Sequence, residues 1–175
     1  KPKPKYDPQY ERIDTIEQLN QYVSDILIAA KTKRVRVAFD LEWNGIIPSN
    51  SDAYIRTINI GSNHTQEPAI RVVVLTKPGG GWCFNGSKED IARSLQQLFV
   101  RGNNVQIVGH NFIADVPWLE SLGVDVKQKF WFPDDDSEEY PPDYDGIFDT
   151  IIAYHAIDEC GHFGLEHTAR IWLDF

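Results

Sequence analysis

Methionine is absent from this sequence, and cysteine occurs only twice, at Cys83 and Cys160. Two cysteines in a chain of 175 residues do not make the disulfide framework of a small secreted domain. A reducing, cytoplasmic setting is therefore expected. No run approaches the ~18–20 apolar residues that a membrane-spanning helix needs, and the chain does not open with the basic, apolar and small-residue succession of a signal peptide. No membrane partner is expected. Positive charge is also scarce: 17 Lys and Arg face 26 Asp and Glu, a net charge of −9. That balance argues against a broad phosphate-binding surface. The start at Lys1, with no Met anywhere, suggests a piece of a longer protein or one whose leader was removed.

The acidity is concentrated. Asp134, Asp135, Asp136, Glu138, Glu139, Asp143 and Asp145 follow one another without an intervening Lys or Arg, among Pro133, Pro141 and Pro142. This run reads as a solvated loop, and without its acids the net charge is near neutral. Apolar residues make up 42% of the chain, with five Trp, nine Phe and seven Tyr, enough for one well-packed core. The domain expected is 14–175, preceded by an extended arm or linker over 1–13 that contains Pro2, Pro4 and Pro8.

Periodicity supplies the elements. Asp14 with Glu17 predicts a capping box, and Ile16, Leu19, Tyr22, Val23, Ile26 and Leu27 recur at helical spacing to about Ala30. Alternation predicts strands over 34–40, 54–61 and 69–75, the last ended by Lys77-Pro78-Gly79-Gly80-Gly81. Ser87 caps a second helix, and Val105–Val108 is a short buried strand. A helix over about 115–121 stops at Gly123. Ile147-Phe148 reads as a fifth strand, with helices over 149–157 and 164–173. Three strands in succession imply antiparallel neighbours, and strands separated by helices imply parallel ones. The expected fold is α/β, a mixed five-stranded sheet flanked by helices.

Two places carry chemistry. In Phe39-Asp40-Leu41-Glu42-Trp43-Asn44-Gly45, residues two apart on a strand face the same side. Asp40 and Glu42 therefore point together, and two such carboxylates stay ionised with a cation between them. Mg²⁺ and Mn²⁺ suit oxygen ligands of this kind. A pair of solvated surface acids is the plainer reading of Asp-x-Glu by itself. The second place is Gly109-His110-Asn111-Phe112-Ile113-Ala114-Asp115, where a buried strand runs into a helix. Asp115 alone would be a first-turn acid favoured by the helix dipole.

Taken together, Asp40-x-Glu42-x-x-Gly45 resembles the first motif of the DEDD nuclease superfamily, and Gly109-His110-Asn111 with Asp115 resembles the second. Phe148-Asp149-Thr150, an apolar helix and then Gly164-Leu165-Glu166-His167-Thr168-Ala169 are similar to the segment that follows in family-A DNA polymerases of phage type. The resemblance spans about Val35 to Leu173. It implies a ribonuclease H-like fold and a 3′→5′ proofreading exonuclease domain. Such a domain shortens single-stranded DNA from its 3′ end by two-metal hydrolysis, covalently joined to a polymerase domain. Asp40, Glu42 and Asp115 would be catalytic and would bind two Mg²⁺ or Mn²⁺ ions. Asn111, Phe112 and Ile46 would contact the substrate strand.

The resemblance departs from its family at the fourth carboxylate, an Asp preceded by Tyr four positions or His five positions earlier. Tyr154-His155-Ala156-Ile157-Asp158 satisfies that spacing literally but falls one helix too early, so the expected motif lies past Phe175 and the chain reads as truncated before it. Ala114 stands where the family has an aromatic residue. Asp149 reads as a helix N-cap. His155, Cys160, His162 and His167 match no familiar zinc spacing and read as ordinary polar residues. Two alternatives are kept. One is an RNase D-like or Werner-like nuclease, to which Trp43 after Glu42 lends support. The other is a catalytically inactive RNase H-like structural module.

Overall fold

The computed structural model describes residues 9–65, 69–130, 145–157, 161 and 164–172. Asp158, Cys160, His162 and the acids from Asp134 to Asp143 lie outside the described residues. Six strands form one sheet in the order β1-β4-β3-β2-β5-β6. In chain order these are β1 (Gln9–Ile13), β2 (Val35–Asn44), β3 (Tyr54–Ser62), β4 (Ala69–Val74), β5 (Val105–Gly109) and β6 (Ile147–Asp149). The helices are α1 (Ile16–Ala30), α2 (Lys88–Gln96), α3 (Val116–Leu122), α4 (Thr150–Ile157) and α5 (Leu165–Trp172). No helix among the described residues is long and apolar enough to cross a membrane.

As expected, β2, β3 and β4 are antiparallel neighbours, and β5 and β6 continue the sheet in parallel. The sheet has one strand more than the five expected. Residues 9–13, read as part of an arm, pair in parallel with β4 from Gln9↔Ala69 to Ile13↔Val73. Four of the five residues of β1 are exposed, so the apolar alternation that reveals a strand in a sequence is missing there. Backbone pairing and the Arg71–Glu11 ion pair at 3.0 Å hold this edge.

Helix starts follow local chemistry. The capping box of α1 is Thr15 with Gln18 rather than Asp14 with Glu17. The Gln18 N–H donates to Thr15 Oγ1 at 3.3 Å, and the Thr15 N–H donates to Gln18 Oε1 at 3.2 Å. Ser87 caps α2 with Asp90 as its reciprocal partner.

The core lies on one side of the sheet. Strand β2 alternates strictly, with Val35, Val37, Phe39 and Leu41 buried and Arg36, Ala38, Asp40 and Glu42 exposed. The buried set packs with Leu19, Val23 and Ile26 of α1, Ile91 and Leu95 of α2, and Trp118 and Leu119 of α3. Each such side chain contributes about 1.5–3 kcal/mol through loss of water contact. Because the period of a strand is two, the packing that buries Phe39 and Leu41 obliges Asp40 and Glu42 to face outward.

Candidate active site

Strand β2 runs to Asn44, so Asp40 and Glu42 sit within a strand and not at its end. Opposite them on β3 stand Asn59 and Thr57. The Asn59 amide donates to Asp40 Oδ2 at 3.1 Å, which fixes that carboxylate against the sheet. Between Glu42 and Trp43 the register slips, leaving Arg56 as the extra residue of a β-bulge. Beyond the bulge, Trp43 stacks on Trp118 of α3, ring centroids 5.2 Å apart. The first acidic pair is thereby tied to the helix that follows Asp115.

Asp115 reaches the same strand by a different route. In β2 the Val35 N–H points toward β5, donating to Asn104 O, while the Arg36 N–H points toward β3, donating to Asn63 Oδ1. By that alternation the Leu41 N–H faces the β5 side. The pairing of β5 with β2 extends only to Ala38↔Val108, so Leu41 has no strand partner there. The Asp115 carboxylate takes the place of the missing strand, accepting the Leu41 N–H at 3.2 Å. Asp115 is 5% exposed. Burial pushes its pKa up to about 7; the Leu41 N–H opposes this, and the charges of Asp40, Asp149 and Glu42 add to it in that order.

The turn between β5 and α3 is built by three residues. Asn111 adopts a left-handed conformation, φ 58° and ψ 43°, which Asn tolerates better than most residues. Gly109 lies under Phe112, where a Cβ would stand 2.6 Å from that of Phe112. Asp149, paired with Gly109 across the sheet, accepts the N–H groups of Asn111 at 2.9 Å and Phe112 at 2.7 Å. It also accepts the Ile151 N–H at 2.9 Å, as a helix-starting residue would. Its expected capping role is thus joined by one that sequence reasoning missed, anchoring the second motif. Thr150 donates to Gly109 O at 3.0 Å and so must accept from His110 Nδ1 at 2.9 Å, which puts the ring proton on Nδ1.

The expected site residues separate into two groups. Asp40, Glu42 and Asp115 come within electrostatic reach of one another. Asn111 is exposed beside them on the turn, and Ile46 is 88% exposed on the loop after β2. That loop leaves the strand at Gly45, whose φ of +99° and 2.9 Å approach of its missing Cβ to Ala53 demand glycine. Phe112 differs. It is 1% exposed and stacks on Phe99, centroids 6.4 Å apart, so it is a core residue and offers no open ring face to a base. The signal for this was Gly109 three residues earlier, which leaves room for a ring over the strand end.

Among the described residues, no group of three or more His, Cys, Asp and Glu stands close enough to hold a metal ion as arranged. The chemistry of the acids nonetheless fits a hard divalent cation. Their oxygen donors are of one kind, and the charges of Asp40, Asp149 and Glu42 add to the burial that raises the pKa of Asp115, a repulsion that a cation would relieve.

No family model matches the chain, and no curated protein matches it either. Solved structures do match by fold. RNase D of Trypanosoma brucei, in complex with RNA U12, superposes with a TM-score of 0.53 at 15% identity, over 86% of this chain and 40% of its own. The catalytic core of RRP6 from Trypanosoma brucei gives 0.58 at 15% identity, over 96% and 35%. Escherichia coli RNase D, an exoribonuclease involved in structured RNA processing, gives 0.57 at 12% identity, over 95% and 34%. The fold is that of the ribonuclease H-like exonucleases. At these identities the likeness is one of fold, and the chain spans well under half the length of each of the three solved chains.

Proposed function

We propose that this domain is a 3′→5′ exonuclease of the DEDD type, acting on single-stranded nucleic acid ends. The observation that carries the reading is the coupling of Asp115 to Asp40 and Glu42. Three acids from two separate motifs stand near enough for the charges of Asp40 and Glu42 to act on Asp115, whose pKa burial raises first and those charges raise further. A purely structural sheet edge has no use for such repulsion.

Asp40, Glu42 and Asp115 would hold Mg²⁺ or Mn²⁺. When bound, the ions supply a more acidic attacking water and neutralise charge on the departing 3′ oxygen. The chain's own residues do the positioning. Asn59 orients Asp40, the Leu41 N–H orients Asp115, and Asp149 holds the turn that presents Asn111. Ile46 offers an exposed apolar surface to a terminal base.

The substrate we favour is RNA, in the manner of an RNase D-like nuclease. The fold neighbours and the Trp43–Trp118 stack directly behind Glu42 both support this. A DNA-proofreading domain attached to a polymerase is the second reading, favoured by the Gly164–Ala169 stretch. Digestion of 5′-labelled single-stranded RNA and DNA with Mn²⁺, comparing wild type with Asp40→Ala, tests both. A ladder shortening from the 3′ end in wild type alone supports the nuclease, and the faster substrate chooses between readings. Equal Mn²⁺ binding by the two proteins would sink the site assignment.

A further inference from the structure

The side of the sheet that packs against α2 and α3, opposite the face of Asp40 and Glu42, also carries a concavity. A cavity of about 340 Å³ opens beside the start of β3, lined by Tyr54, Trp82, Trp118, Pro48, Lys88 and Thr76 among others. None of Asp40, Glu42, Asp115 and Asp149 lines it. Its volume is at the small end of the ~300–1,000 Å³ range of ligand pockets, the size of a single nucleoside unit.

The walls are preformed. Gly80 turns at φ +90°, and a Cβ there would stand 3.0 Å from the Tyr54 ring, so the 77–81 turn lies directly against that ring. The Tyr54 hydroxyl accepts the Gly79 N–H at 3.2 Å. Trp82 is bridged to Thr76 and donates its indole N–H to Gly86 O at 3.0 Å, while remaining 39% exposed. Trp118 is buried and stacked on Trp43. The hydroxyls in the lining are already engaged: Thr76 donates to Ile55 O at 2.9 Å, and Ser121 donates to Trp118 O at 2.7 Å. What the cavity presents is therefore aromatic surface and one exposed cation, Lys88 at the start of α2.

Aromatic walls beside an ammonium suit a planar ring that carries an anionic group. We propose that this cavity binds one nucleotide unit, its base against the Trp82 and Tyr54 rings and its phosphate at Lys88. Recognition is by stacking and charge, which any base satisfies. The proposal rests on the nuclease reading and adds to it a nucleotide subsite that none of the acids lines. The unit comes either from a substrate strand or from a released nucleoside monophosphate, which share this chemistry.

The test is calorimetric titration in EDTA, where the carboxylate site cannot recruit metal, using AMP, adenosine, ribose 5-phosphate and a short oligoadenylate. Saturable AMP binding is expected, weakened about 5- to 150-fold in Trp82→Ala and retained in Asp40→Ala. Lys88→Glu should bring AMP down to the affinity of adenosine or below, and as an exposed position it keeps the test valid if the Trp82 variant melts early. Tighter binding of oligoadenylate than of AMP assigns the site to a strand; equal or weaker binding assigns it to the free nucleotide. Absence of AMP binding at millimolar concentration overturns the proposal. So does ribose 5-phosphate binding as well as AMP, or binding lost in Asp40→Ala but kept in Trp82→Ala. Because no metal is present, failure here leaves the nuclease reading standing, and failure of cleavage leaves this site standing.

Discussion

Asp115 substitutes for a strand: its carboxylate accepts the Leu41 N–H at 3.2 Å where β5 has already left the edge of β2. That hydrogen bond joins the two acidic motifs through the backbone, and it places a buried carboxyl beside Asp40, Asp149 and Glu42.

Stability should fall as pH rises through this group. Its pKa is raised from 3.8 to about 7 by burial first and then by like charge, so the folded state holds the proton more tightly than the unfolded chain. The folded form is unpenalised below about 3.8, loses stability as pH climbs toward 7, and carries the full penalty above it. Asp115→Asn keeps an oxygen for Leu41 and removes the ionisation. At pH 8 the variant should be more stable than wild type by ~2–3 kcal/mol, allowing for partial solvent screening, with the difference gone at pH 4. Urea midpoints at the two pH values measure it. An unchanged difference would show that Asp115 titrates like a surface acid.

Asp149→Ala should loosen the second motif. Three N–H groups, those of Asn111, Phe112 and Ile151, lose their acceptor at once. A cost of about 2–4 kcal/mol is expected from the unsatisfied donors, with Asp149→Asn retaining part of the stability. Faster amide exchange at Phe112 is the local sign to look for. Unaltered exchange there would mean that the turn stands without Asp149.

Gly109→Ala should be destabilising although alanine favours ordered backbone. Its Cβ would meet Phe112 atoms at 2.6–2.9 Å, forcing the ring off Phe99. A loss of about 1–3 kcal/mol is expected for this overpacking. Combining it with Phe112→Ala should cost less than the two single losses added together. Simple additivity in thermal melts would exclude the clash as the cause.

Lys129 carries a prediction about the frame of the site. It is fully buried, with its ammonium donating to Asn103 Oδ1, Val105 O and Asp145 O and lying 3.0 Å from Asp145 Oδ2. Burial lowers its pKa while Asp145 opposes the shift. Lys129→Met leaves a buried carboxylate unpaired and should cost about 3–5 kcal/mol. Lys129→Met with Asp145→Asn should recover part of that. Denaturation of both variants decides; equal stabilities would mean that the pair holds nothing together.

Much of this was legible from local pattern. The alternation Val35, Val37, Phe39, Leu41 names both the strand and its buried face, and so sends Asp40 and Glu42 outward. Ser87 with Asp90 and Gly123 mark helix ends by chemistry that acts within one turn. Strand β1 was not legible, because an edge strand exposed on both faces carries no apolar period. The burial of Phe112 is only half legible: Gly109 leaves room for its ring, but its partner Phe99 is brought there by the turn after α2, which no local pattern specifies.

The sequence by itself determined which acids share a face and which residues can start and stop each element, since both follow from backbone periods and short-range hydrogen bonds. Only the tertiary structure decided that Asp115 would complete the edge of β2, and that Asp149 would hold Asn111 and Phe112. Tertiary structure also set Lys129 in the core against Asp145. In each case a polar group was taken out of water by distant parts of the chain. Its partner is then whichever group the fold brings within hydrogen-bond reach, which no local pattern can specify.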